Sequence, residues 1–285
     1  MSLPPSSPVA KAIWSGSIPI LFTLDDNELC GRGVDMGLMI EAQRCSYLPL
    51  LAETVRDHFV RTGQVSGPGE IWFHYKGTPL KWHYAIGLLF DILGLQASNN
   101  CAAEGLLPWN VTVNFQNYPG DKLIASCADS NVCKDAFMSM IKEADYLRNG
   151  TTKKVMNLSK ADQTQLWDGI LKHDYNRFWD VNHRLVLNDG AAPRHLPVRI
   201  YLPGNSPVIQ EPFIPADEQD HPRTLRQILN DALPALFPLE DDATAGHAAG
   251  ALIHGVKPSL ETSALWAAQN MAYADNFLHL VIVIE

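Results

Sequence analysis

Apolar residues change their period twice along this chain, and that change limits the folds open to it. From Ile13 to Phe115, and again from Leu196 to Ile284, short strand-like runs predominate, broken by single helical stretches. From residue 122 to about 190 the apolar positions recur every three or four residues, as on helices laid against a core. A chain of 285 residues exceeds what one core usually organises. The predicted division is 1–118, 119–194 and 195–285, a helix-rich domain between two strand-rich ones.

In the first unit Ile13 to Leu24 reads as a strand region ending at an Asp25-Asp26-Asn27 turn, and Gly37 to Ile40 as a second strand. Leu48 to Val60 carries Leu51, Val55 and Phe59 at helical spacing. Glu70 to Tyr75 and Leu80 to Trp82 are predicted strands around a Lys76-Gly77-Thr78-Pro79 turn. Ile86 to Leu93 is a compact apolar helix or turn, and Val111 to Phe115 a closing strand. This β-β-α-β-β-α-β order is the β-grasp order of ubiquitin. The last unit repeats it faintly: strands at Val198–Leu202 and Val208–Ile214 (broken by Pro212), a helix at Thr224–Leu233, a strand at Leu252–Val256, a helical stretch at Leu260–Met271 and a closing strand at Phe277–Ile284. The predicted fold class is α+β, with two ubiquitin-like β-grasp domains flanking a helix-rich domain. Met1 to Val9, rich in Pro and Ser, is expected to be frayed.

Among the middle helices, Ser159 followed by Asp162 marks an N-cap, and a break is predicted near His173-Asp174. Leu166, Trp167, Ile170, Leu171, Phe178, Trp179 and Leu185 are expected to supply the buried faces, and the tryptophans exceed what so few helices can hide, so the helices are expected to pack between domains. The most informative stretch is Phe137 to Leu147. On a helix, Phe137, Met140, Ile141, Ala144 and Leu147 fall on one inward stripe, and Lys142 points away from it. Met138 and Tyr146 stand one turn before and after Lys142. For an arbitrary helix such a lysine is simply solvated; the alternative is a lysine displayed on a docking patch that includes Met138 and Tyr146.

Composition narrows the function classes. The net charge is −9, and the last third, with 4 basic against 11 acidic residues, carries most of it. Nucleic-acid binding by the whole chain is therefore not expected. No apolar run approaches the roughly 20 residues of a membrane helix. Ile18 to Phe22 lacks a basic leader and a cleavage site, so the expected location is cytosolic and the sequons at Asn110, Asn149 and Asn157 carry no glycan. Five cysteines without a C-x-x-C pair argue against a disulfide framework and a zinc site.

A catalytic set is not evident. There is no H-E-x-x-H and no G-x-S-x-G; His74 and His83 flank a predicted hairpin turn; Cys45 lies near a helix start without an identifiable base. Gly31-x-Gly33-x-x-x-Gly37 lacks the Gly-Lys-Ser/Thr of a phosphate loop, and Glu240-Asp241-Asp242 lacks calcium-loop spacing. Neither a metal nor a cofactor is expected.

Several blocks carry a family likeness: EIWFHYKGTPLKWHYAIGLLFD (Glu70–Asp91), LPWN (Leu107–Asn110), FMSMIKEAD (Phe137–Asp145), RFW (Arg177–Trp179), RIY (Arg199–Tyr201), IHG (Ile253–Gly255) and DNFLH (Asp275–His279). Together and in order, they resemble the autophagy protein 5 family over nearly the whole chain. The resemblance implies two ubiquitin-like domains around a helical one. It also implies an isopeptide bond from Lys142 to the ubiquitin-like autophagy protein 12, and a complex with the coiled-coil autophagy protein 16. That conjugate would act like an E3 ligase. It would stimulate transfer of autophagy protein 8 from an E2-like conjugating enzyme to phosphatidylethanolamine, with peripheral association on the preautophagosomal membrane. Lys142 would then be an acceptor, with no catalytic residue of the chain's own. The competing classes are a non-conjugated adaptor with ubiquitin-like folds and a thiol enzyme.

Overall fold

A computed structural model of the chain describes residues 7–28, 37–63, 65, 69–96, 105–124, 130–187, 192–204, 206–239 and 249–284. It opens with helix α1 (Pro8–Trp14), where the Ser7 hydroxyl accepts from the Ala10 N–H and Pro8 occupies a position whose N–H has no helical partner anyway. Here the sequence expectation is corrected: Val9 belongs to a helix, and so do Ile13 and Trp14, which were expected on a strand. The cause is tertiary. The Trp14 ring stacks on His173 at 5.3 Å and packs against Phe178 at 4.9 Å, contacts 159 or more residues away that local pattern does not register.

The first domain continues with β1 (Ser17–Leu24), β2 (Leu38–Gln43), α2 (Pro49–Arg61), β3 (Trp72–Tyr75), β4 (Thr78–Pro79), α3 (Ile86–Phe90), a π-helical turn over Asp91–Gln96, and β5 (Trp109–Asn114). Its sheet runs β2-β1-β5-β3-β4, with β1 and β5 parallel at the centre and Ile20 opposite Trp109. Strand β1 buries every second residue, as its alternation requires. The second hairpin strand lies at Thr78–Pro79, earlier than the Leu80–Trp82 expected. Lys76 (φ 48°) and Gly77 (φ 80°) both adopt left-handed backbone, which makes the turn a two-residue one and brings Thr78 opposite Tyr75 at once.

Four helices follow: α4 (Ser130–Asn149), α5 (Lys153–Met156), α6 (Lys160–Leu171) and α7 (Tyr175–Val186). Ser159 and Asp162 form the predicted cap as a reciprocal capping box. The break falls where expected, with His173 at φ 50° and the Asp174 side chain accepting from the Arg177 N–H. Gly169 lets α6 and α7 meet closely, since a Cβ there would stand 2.8 Å from the Phe178 backbone.

The last domain consists of β6 (Leu196–Tyr201), β7 (Pro212–Phe213), α8 (Leu225–Ala232), β8 (Ala249–Leu252), α9 (Ala264–Asn270) and β9 (Leu278–Ile284). The sheet order β7-β6-β9-β8, with β6 and β9 parallel, repeats the central feature of the first sheet. Pro212 sits on an outer strand, where a missing N–H is tolerated. One face of this sheet packs on α8 and α9 in its own core around Leu225, Ile228 and Leu280. Tyr201, Leu252, Val281 and Val283 belong instead to a larger core, which runs through the first sheet and the helices and includes Trp167 and Phe178. The middle tryptophans thus find cover in that shared core, as their excess predicts.

Candidate functional site

Helix α4 presents the lysine. Its inner face is fixed by Phe137, which meets Tyr47 edge-on at 6.2 Å and Trp167 at 5.5 Å, and by the fully buried Ile141 and Ala144. Gly150, at φ 71°, ends the helix and donates its N–H to the Tyr146 carbonyl.

The buried face differs from the predicted stripe. Met140 and Leu147 are only half-buried, while Met138, Asp145 and Arg148 are inside. Polar anchors explain the rotation. Asp145 accepts from the Asn149 side chain (2.7 Å) and the Val155 N–H (3.1 Å), and Arg148 donates to the Asn276 carbonyl (3.1 Å). Burial lowers the Arg148 guanidinium to about 10. A count of apolar residues cannot register such anchors, so it turned the helix slightly the wrong way.

The outward line is Asp135, Ser139, Lys142 and Tyr146. The Lys142 ammonium makes no hydrogen bond or ion pair to any described residue. Tyr146 is 58% exposed, but Met138 is only 7% exposed and lies in the shared core. The exposed pair expected around Lys142 is therefore corrected to Tyr146 alone. Met138→Ser should lower the unfolding free energy by about 2–4 kcal/mol, because it empties a core position. Tyr146→Ser should change it by less than about 0.5 kcal/mol. Urea unfolding of the two variants checks this, and equal effects would refute the corrected face.

The next residue along, Glu143, is tied to the last domain. Its carboxylate accepts from Arg199 (2.9 Å) and from the Gln210 amide (2.7 Å). Arg199 also donates to Gln210 and contacts the Met140 sulfur at 3.3 Å, and its guanidinium lies 4.0 Å from the centre of the Phe277 ring.

Behind this face lies a buried polar seam between the first and last domains. Arg44 pairs with Asp91, which also accepts from the Tyr273 hydroxyl, and His254 stacks on Tyr273 at 3.6 Å. His279 joins Tyr201 and Asp275 through its two ring nitrogens, 2.9 Å each. Gln96 donates to the Tyr201 and Ile282 carbonyls, and beside the seam the amides of Asn182, on α7, and Asn276 pair reciprocally, joining the helical and last domains. RIY, IHG, DNFLH and the Asp closing the long first block, uninformative singly, meet here. Polar residues set inside apolar runs were the available signal.

Cys45 is sealed in this region, and burial pushes its thiol up to about 12, which leaves it a poor nucleophile at neutral pH. Burial lowers the His83 imidazole to about 4. Among the described residues no cluster of His, Cys, Asp or Glu could hold a metal ion, and no helix is long and apolar enough to cross a membrane. Glu240 to Asp242, Gly31 and Gly33 lie outside the described residues, as do Cys30, Cys101 and Cys127.

Comparison with known proteins decides the family. Three models match in order: "Autophagy protein ATG5, UblA domain" over residues 13–115, "alpha-helical bundle region" over 130–188 and "UblB domain" over 195–282. The chain belongs to the autophagy protein 5 family. Autophagy protein 5 of Phaeosphaeria nodorum is 34% identical, with 98% of this chain and 97% of that one covered. The Drosophila melanogaster protein is 31% identical, with 96% of each covered. The crystal structure of Kluyveromyces marxianus Atg5 superposes with a TM-score of 0.78 at 23% identity, covering 96% of this chain and 98% of that one, so the family fold is shared. Within that fold, Lys142 falls inside the helical-bundle match and the seam joins the two ubiquitin-like domains.

Proposed function

We propose that the chain is the acceptor of a ubiquitin-like modifier, autophagy protein 12, through an isopeptide bond at Lys142. The observation that carries this is the presentation of Lys142: an exposed ammonium, unpaired among the described residues, in the middle of a helix whose opposite face is locked into the core. In the transfer, the neutral amine attacks the thioester carbonyl at the modifier's C-terminus. A C–N bond forms, the C–S bond breaks, the thiolate leaves on the carrier enzyme, and the amine proton passes to a base or to solvent. A lysine side chain in water is overwhelmingly protonated at neutral pH. The carrier therefore supplies desolvation or the base, and this chain supplies position. Tyr146, one turn along on the same face, is the side chain best placed to touch the incoming protein.

The conjugate, with the coiled-coil autophagy protein 16, would then act as an E3-like assembly. It would promote transfer of autophagy protein 8 from its E2-like enzyme to phosphatidylethanolamine, as a peripheral component of the preautophagosomal membrane. Family membership and the presented lysine support this reading, which assigns no covalent catalysis to the chain itself.

Lys142→Arg keeps charge and helix propensity. Incubated with the activating and conjugating enzymes, the variant should keep the wild-type melting temperature and form no higher-mass species. A product of wild-type amount would overturn the acceptor assignment. No product from the wild-type chain would favour a non-conjugated adaptor.

A further inference from the structure

Exposure alone does not single out Lys142, because Lys153 and Lys160 are also exposed on the same helical domain. Those two are the first residues of α5 and α6, where a helix has fewest backbone bonds. Lys142 lies in the interior of α4, and the side chain next to it in sequence is bridged to another domain. Glu143 takes one hydrogen bond from Arg199 on β6 and another from Gln210, which lies between β6 and β7. Arg199 is itself held on three sides, by Gln210, by the Phe277 ring and by Met140, one turn before Glu143 on α4. Its side chain is 12% exposed against 42% for Glu143, so the arginine end of the pair is sheltered while the carboxylate end faces solvent. On the opposite flank, Asp145 and Arg148 tie the next turn to Val155 and Asn276. The lysine turn is thus tied to the last domain on both flanks.

We propose that Arg199 is a positioning residue for conjugation: through Glu143 it locks the Lys142 turn to the last domain, so that the carrier's thioester meets this lysine and not its exposed neighbours. This deepens the acceptor reading and rests on it. Holding an attacking group in one geometry acts on the maximal rate and on the choice of site, not on the intrinsic reactivity of the amine.

The test is single-turnover transfer from carrier thioester to wild-type chain, Arg199→Gln and Arg199→Lys, with the joined lysine mapped by mass spectrometry. Arg199→Gln should lower the rate at saturating carrier about fivefold and leave the half-saturating concentration unchanged. Part of its product should move to Lys153 or Lys160. Arg199→Lys should recover part of the rate, since it restores the charge without the two-pronged geometry. Labelling of Lys142 by a small activated ester should be the same in all three, because exposure is unaltered.

A wild-type maximal rate with all product at Lys142 in Arg199→Gln would overturn the proposal. So would a loss confined to the half-saturating concentration, or a parallel fall in small-reagent labelling. If Arg199→Gln fails to fold, Glu143→Ala with Gln210→Ala removes the same bridge without disturbing the Phe277 contact, and the same outcomes apply. A wild-type chain that is not joined at Lys142 would refute the acceptor reading itself. Normal wild-type joining with unaffected variants refutes only the role of Arg199.

Discussion

Asp91→Ala should lower the unfolding free energy by about 3–5 kcal/mol, the largest loss expected from any single side chain of the seam. Asp91 is fully buried and answers Arg44, whose side chain is only 11% exposed. Burial pushes the Asp91 carboxyl up, and the Arg44 guanidinium opposes that shift. Removing the carboxylate leaves a buried guanidinium without its counter-charge, and the Tyr273 hydroxyl loses its acceptor as well. Replacing both partners by apolar residues of similar size, Arg44→Met with Asp91→Leu, should recover most of the loss, because the cost lies in the uncompensated charge. Chemical denaturation of the single and double variants measures this directly. A loss below about 1 kcal/mol for Asp91→Ala would show that water or a rearranged side chain satisfies Arg44.

The second large effect concerns the helical domain. A fragment of residues 119–194 should not fold cooperatively on its own. Phe137 rests on Tyr47 from the first domain, Phe178 on Trp14 from α1, and Arg148 on the Asn276 carbonyl from the last domain. Cut free, α6 and α7, with 12 residues each, are near the length at which isolated helices are marginal in water. Phe137, Trp167 and Phe178 would lose much of their cover. The fragment should show weak helicity, a broad melt and poor amide dispersion by NMR. A sharp melt with well-dispersed resonances would make the helices an independent domain.

Much of this architecture is legible in the sequence because period and capping are local properties. The β-grasp order, the capping box at Ser159 and the break at His173 follow from residues only a few positions apart. What stayed hidden depends on distant partners. Trp14 is helical because of His173 and Phe178, and α4 is rotated because Asp145 and Arg148 have buried acceptors and donors elsewhere. That rotation moved Met138 into the core and left Tyr146 outside. The outward direction of Lys142 was legible from its place on the helix. The Arg199 bridge was not, because Glu143 reads as an ordinary exposed helix residue until β6 is brought beside it.

The seam also bears on how the chain reaches its native state. Asp91 and Tyr273 meet across 182 residues of sequence, and Gln96 reaches Ile282 across 186. Closures of that length restrict a great deal of chain before any contact repays the lost entropy, so they form slowly and late. Until they form, each ubiquitin-like unit presents an unfinished apolar face, and for the last sheet that face includes Val281 and Val283. Intermediates of this kind associate readily. Refolding yield should therefore fall as protein concentration rises, and a variant that weakens the seam should aggregate during refolding even where its folded form, once made, persists.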